Sequence, residues 1–190
     1  MRIFLVLLLM SVTSCIIPTP KPPYVPSDEA IVIEAESYTR ARPSSVGGRM
    51  WYEVDFQGET VMQVLPDTRI THDDPMEPGS FFNNRGGAEL DFDIHLEEGD
   101  YTVWGRCYSE GTEDNGVHVG VNGDLSNNGT ALQWCGTGSW VWSSAQRDSD
   151  GPCGKDGTIW IRVTTTGIHT ITLYQREDGF RLDKLTLEPR

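Results

Sequence analysis

The stretch AELDFDIHL, residues 88–96, sets Ala88, Leu90, Phe92, Ile94 and Leu96 on one side and Glu89, Asp91, Asp93 and His95 on the other. Successive side chains of an extended chain point to opposite faces, so this alternation predicts a strand with one face on a core. Glu98-Gly99-Asp100 then turns the chain into a second alternating run, 101–108. Farther along, 117–121 runs into Asn122-Gly123, a pair that favours the left-handed backbone of a tight hairpin. Strands are also expected at 31–36, 60–64, 130–134, 141–146, 158–163, 169–175 and 182–187. No long stretch carries a helical period of 3.6. Many short strands separated by turn residues imply an all-β domain with two packed sheets, a jelly-roll β-sandwich. The polar segment 66–87 is too long for a simple turn, and loops of that kind usually carry function.

The rest of the chain sets the context of this domain. Of 190 residues, 28 are acidic and 15 basic, a formal charge of −13. That surplus excludes a nucleic-acid partner, since phosphate neutralisation needs a basic face, and it disfavours anionic lipid surfaces. Arg2 precedes an apolar run at 3–10 that is too short for a membrane span of about 20 residues. It has the shape of a secretory signal, occupying residues 1–14. Val12-Thr13-Ser14-Cys15 resembles the lipobox of bacterial lipoproteins. Cleavage before Cys15 would leave that cysteine lipidated, holding the protein to the bacterial cell envelope through its N-terminus alone. An ordinary signal peptide that happens to contain a cysteine is the alternative. Residues 15–27 then form a proline-rich tether, and 28–190 the folded module, expected to be a monomer.

With Cys15 used, Cys107, Cys135 and Cys153 are left, and any one bridge strands a thiol. Pairing of Cys135 with Cys153 is expected, with Cys107 buried on its strand; Cys107–Cys135 is the alternative. Asp124 to Gly129 opens like a calcium-binding loop, but the twelfth position is Cys135 where a bidentate glutamate is required. His72, His95, His118 and His169 show no metal-ligand spacing.

Five ordered stretches carry a resemblance: VIEAESYT (32–39), GDYTVWGR (99–106), DNGVHVGVNG (114–123), WVWSS (140–144) and REDGFRLDKLTL (176–187). Together they resemble the non-catalytic carbohydrate-binding modules of families 6 and 35, which have a galactose-binding-like β-sandwich. The resemblance spans residues 31–187. It implies a polysaccharide or oligosaccharide partner and a structural calcium on Glu34, Glu36 and Asp183. The residues give that metal its own rationale: two acids two apart on a first strand, and one on a last strand beside it, would repel without a hard cation. A solvated acidic face is the alternative.

The resemblance also implies a sugar site at one end of the sandwich. Trp51 or Tyr52 matches its first aromatic, and Trp140 its later tryptophan, each offering a ring face to the C–H face of a sugar. Where the family often has asparagine before the last strand, this chain has Asp178 and Arg181. That departure admits an acidic or sulfated glycan. Glu113, Asp114 and Asn115 are further candidates to line the site. The tryptophans could equally be packing residues. No nucleophile elbow or recognisable catalytic cysteine occurs, so a non-catalytic binder is expected. A structural or protein-interaction domain and a small glycoside-active enzyme are the alternatives.

Overall fold

The computed structural model describes residues 24–45, 48–68, 87–111, 114–125, 132–133, 138–146 and 157–190. Cys15, Cys135, Cys153 and Glu113 lie outside them, as does most of the polar segment 66–87. The signal segment and all of the tether before Tyr24 are likewise not included. No described helix is long and apolar enough to cross a membrane.

Thirteen strands are described: β1 (Ile31–Glu34), β2 (Arg40–Arg42), β3 (Met50–Phe56), β4 (Glu59–Leu65), β5 (Glu89–Leu96), β6 (Gly99–Tyr108), β7 (Gly116–Val121), β8 (Asp124–Leu125), β9 (Leu132–Gln133), β10 (Trp140–Ser143), β11 (Trp160–Val163), β12 (Gly167–Gln175) and β13 (Arg181–Pro189). The larger sheet runs β10-β6-β13-β4-β3, with β11 beside β6 and β1 beside β13. The smaller runs β2-β5-β12-β7-β8, with β9 on β7. Every pairing is antiparallel. The expected all-β sandwich is therefore the architecture.

The alternation of 88–96 does its work in the core. Ala88, Leu90, Phe92 and Leu96 are buried there, with Ile94 packed against them. They meet Val103 and Cys107 of β6 and Leu182, Leu185 and Leu187 of β13 from the opposite sheet. Burying each large apolar side chain stabilises the fold by roughly 1.5–3 kcal/mol. Cys107 is a buried free thiol, and Cys135, its partner in the alternative pairing, lies outside the described residues. Asn122 and Gly123 have φ of 52° and 82°, the left-handed pair that the hairpin between Val121 and Asp124 requires.

Three strands were not visible in the alternation, among them the two-residue β8. β2 is three residues long, too short to show a period. β3 interleaves acids with Trp51, Tyr52 and Phe56 and resembles no simple two-sided pattern. It is an edge strand, joined to β4 by Gln57-Gly58, both with positive φ.

Trp51 corrects a sequence expectation. It is 2% exposed, packs edge-on against Phe180 with centroids 6.1 Å apart, and donates its indole N–H to the Ala88 carbonyl at 3.3 Å. A ring with both faces in the core has none left for a ligand.

Candidate functional site

β13 lies in the middle of the larger sheet and carries the site's charged residues. Leu182, Leu185 and Leu187 point to the core, so Arg181, Lys184, Thr186 and Glu188 take the outer face. The register shifts between Leu182 and Lys184, and this bulge inserts Asp183 as an extra residue. On β6, Tyr101, Val103 and Cys107 face inward, leaving Thr102, Trp104, Arg106 and Tyr108 outside. Register then aligns Tyr52, Gln63, Arg181, Tyr108 and Trp140 in one row across five strands. Four strand spacings make that row about 19 Å long.

Tyr52, Arg181 and Trp140, three of the sequence candidates, are thus brought onto one surface at the loop end of the sheet. Tyr52 is its exposed end at 47%. At the other end Phe56, Tyr108 and Trp140 form an edge-to-face trio. Phe56 and Tyr108 are 4.7 Å apart, Tyr108 and Trp140 5.6 Å, and Phe56 and Trp140 6.0 Å. Phe56 belongs to the edge strand, three strands from Tyr108, so the β3–β4 hairpin must lean over the face to reach it. Two guanidinium groups are held among these rings. Arg106 lies 4.6 Å from the Trp140 centroid, and Arg181 lies 4.4 Å from Phe56 and 5.8 Å from Tyr108. Such contacts are each worth about 0.5–2 kcal/mol.

Both arginines are also paired with acids. Arg106 Nη1 donates to Glu59 and to Asp183, each at 2.5 Å. The Arg106 hydrogen bond holds the Glu59 carboxyl below its ordinary value. Arg181 Nη2 meets Glu110 at 3.0 Å, while its Nε and Nη1 are buried without a hydrogen-bond partner among the described residues. Asp114 pins Glu110 in place: its two carboxylate oxygens accept the backbone N–H groups of Glu110 and Gly111, each at 2.8 Å. Burial pushes the Asp114 carboxyl up. Asn115, 6% exposed, donates its backbone N–H to Glu177 at 2.7 Å, and Glu177 pairs with buried Arg176.

Asp178 is fully buried and accepts from Arg49 Nε at 2.9 Å and from the Thr68 hydroxyl. It anchors the turn into β13 instead of facing a ligand. The polar candidates Asp114, Asn115 and Asp178 therefore fix the loop end of the sheet, and the rings and Arg181 make its surface. Phe56, Tyr108 and Arg106 were not among the sequence candidates. Alternation within 101–108 puts Tyr108 and Arg106 on a common face, but the partner across the sheet depends on register.

The calcium expectation meets a different arrangement. β1 ends at Glu34, and Ala35–Ser37 is a short 3-10 turn, so Glu34 and Glu36 do not share a strand face. β1 does pair with β13, but it sets Glu34 opposite Lys184. The Lys184 ammonium lies 2.9 and 3.1 Å from the two Glu34 oxygens and 3.6 Å from Asp183. A side-chain cation thus stands between the carboxylates, and no described group of three acidic or metal-ligating residues converges. These residues, as arranged, do not fit a calcium centre.

The smaller sheet has its own polar groove, with a cavity of about 400 Å³. Asp91, 1% exposed, accepts from Arg40 at 2.7 Å, Arg42 at 2.9 Å and the Thr172 hydroxyl at 2.8 Å. Tyr174 lines the groove but is only 3% exposed. It therefore offers no ring face.

No protein-family model matches the chain. An uncharacterized protein, P23, from Formosa agariphila is 35% identical over 182 residues, 84% of this chain. The chain spans 44% of that relative's length. Among solved structures, an isomalto-dextranase of Arthrobacter globiformis complexed with panose is similar with a TM-score of 0.51 and 12% identity, over 86% of this chain and 24% of that one. A family 35 carbohydrate-binding module from Clostridium thermocellum has a TM-score of 0.49 and 14% identity, over 85% of this chain and 98% of its own. A family 6 module of Cellvibrio mixtus lichenase 5A, in complex with cellotriose, has a TM-score of 0.47 and 14% identity, over 84% and 97%. At these identities the likeness is one of fold.

Proposed function

We propose that this chain is a non-catalytic carbohydrate-binding module that takes a neutral polysaccharide on the row from Tyr52 to Trp140. The observation that carries the reading is the trio Phe56, Tyr108 and Trp140 with two guanidinium groups set among its rings. Sugar rings have apolar C–H faces that rest on aromatic rings, and hydroxyls that need fixed polar partners. This surface offers both. Its cations, Arg106, Arg181 and Lys184, are matched by Glu59, Glu110, Asp183 and Glu34. An anionic glycan would have to compete with those carboxylates, and a neutral one would not. The same pairing speaks for binding over catalysis, because an acid committed to an arginine is poorly placed to exchange protons with a substrate.

The lipobox-like segment at Cys15 and the proline-rich run after it support a lipid-anchored module in a bacterial envelope. Many copies on one surface would multiply weak individual contacts through effective concentration. Affinity electrophoresis through gels containing a panel of neutral and sulfated polysaccharides tests the binding. Retardation of wild type by a neutral polymer, lost in Trp140→Ala, is expected. Equal retardation of the two proteins would remove Trp140 from the site, and retardation by sulfated polymers alone would overturn the neutral assignment.

A further inference from the structure

Four residue positions from the Trp140 end of the row, the same outer face carries a second aromatic surface, and the chain's own Tyr24 lies on it. Trp104 faces outward from β6 opposite Thr186 of β13, and Trp142 lies two residues along β10 from Trp140 on the same side. The Tyr24 ring stacks on Trp104 with centroids 3.9 Å apart and planes 9° from parallel. It meets Trp142 edge-on at 5.3 Å. Its hydroxyl donates to Glu188 at 2.7 Å and sits 3.4 Å from the Thr186 hydroxyl. Burial and the Glu188 carboxylate push the Tyr24 phenol up to about 12, so the ring carries its proton at any physiological pH.

A flat ring on an indole, with a hydroxyl held by a carboxylate and a threonine at its rim, is the arrangement a pyranose makes with such a surface. The occupant is held at its ring and, together with Ser27, at Glu188, but no residue from 24 to 30 is buried. The next residue, Val25, is 76% exposed, and a single turn closed by Ala30 N–H on the Ser27 carbonyl joins the segment to β1. Segments with few buried contacts open at low free-energy cost.

We infer that Trp104, Trp142, Thr186 and Glu188 form a second ring-stacking subsite for a pyranose unit, and that Tyr24 fills it as an internal competitor until glycan displaces it. The inference rests on the glycan-binding reading above and extends it. A site occupied by its own chain binds with an apparent affinity reduced by the fraction of time it is open, so removing the competitor tightens binding.

The test measures binding of cellohexaose and isomaltohexaose to full-length wild type, Tyr24→Ala, Tyr24→Phe, Trp104→Ala and Trp140→Ala by titration calorimetry. Tyr24→Ala is expected to bind one of the two about tenfold more tightly than wild type. Tyr24→Phe, which keeps the stack and loses the Glu188 bond, should fall between them. Adding Trp104→Ala to Tyr24→Ala should abolish the gain. Limited proteolysis between residues 24 and 30 should also accelerate when wild type is saturated with the glycan. If Tyr24→Ala binds as wild type does, or more weakly, while Trp140→Ala loses binding, the internal competitor is refuted and the first site stands. If binding depends on Trp104 and not on Trp140, the first site falls and this one stands. Absence of binding to every variant, Tyr24→Ala included, would overturn both.

Discussion

Arg49→Met tests whether the loop end of the larger sheet is held by a buried ion pair. Arg49 and Asp178 are 7% and 0% exposed, and their 2.9 Å contact closes a triangle with Thr68, whose hydroxyl takes a hydrogen bond from Arg49 Nη2 at 2.8 Å. Methionine keeps the apolar stem of the arginine and removes its charge from beside the buried Asp178 carboxylate. Breaking one side of such a pair costs about 3–5 kcal/mol, against roughly 0–1 kcal/mol for an exposed pair. For a domain of this size each kcal/mol shifts the melting temperature by about 2–4 °C, so the midpoint should fall by roughly 6–20 °C. Urea unfolding followed by tryptophan fluorescence supplies the free energy, with an unchanged slope showing that the unfolded reference is the same. Added salt should not narrow the gap, since a buried pair is poorly screened. Arg49→Met combined with Asp178→Asn should recover most of the loss, because no net charge is then left inside. A cost under about 1 kcal/mol for Arg49→Met, or a double variant as unstable as the sum of its parts, would refute the reasoning.

Other perturbations have equally definite signs. Arg106 lowers the Glu59 carboxyl, so the stability from that pair is present above the ordinary value of 4.5 and is lost as pH falls through the lower folded value. Glu59→Gln should cost under about 1 kcal/mol at neutral pH, the group being 40% exposed, and should flatten the acid limb of stability against pH; parallel limbs would exclude the pairing. Because Lys184 stands between Glu34 and Asp183, excess chelator should leave the melting temperature unchanged, and a fall of several degrees would restore the calcium expectation. Burial raises the Cys107 thiol far above its usual value, so a thiol reagent should label it only after unfolding, and prompt labelling of native protein would show that β6 opens locally.

The sandwich was legible because its longest strands alternate cleanly, as 88–96 and 101–108 do, and because Asn122-Gly123 fixes a hairpin by local backbone preference alone. The site was legible in part. Trp140 and Arg181 share an outer face through strand periodicity, and Tyr52 joins them through the β3–β4 register. Trp51 shows the limit: either of two adjacent aromatics on a strand could face inward, and only the core on one side decides it. The 3-10 turn after Glu34 takes Glu36 off the shared face in the same manner, since the two-residue spacing means a common face only while the chain remains extended. Phe56 was invisible because it reaches Tyr108 by the lean of a hairpin, a property of tertiary packing that no local pattern records.

The acid surplus gains a structural meaning from the arginines. Among the described residues Arg40, Arg42, Arg49, Arg106, Arg162, Arg176 and Arg181 each contact a carboxylate. A guanidinium bridges two acceptors with a fixed fork, as Arg106 does between Glu59 and Asp183, and so orders strand ends that carboxylates alone would push apart. With 28 acids and 15 bases in the chain, these pairs consume cations that an anionic ligand would need. The field of the whole molecule is negative, and it opposes approach by a sulfated or carboxylated polymer before any contact forms. Local pairing at the row and the net charge of the chain therefore select in the same direction. Substituting Glu59 and Glu110 together should release Arg106 and Arg181 from those partners and shift preference towards anionic glycans, with the gain shrinking as salt is raised. If the double variant still ignores sulfated polymers at low salt, the carboxylates are not what excludes them.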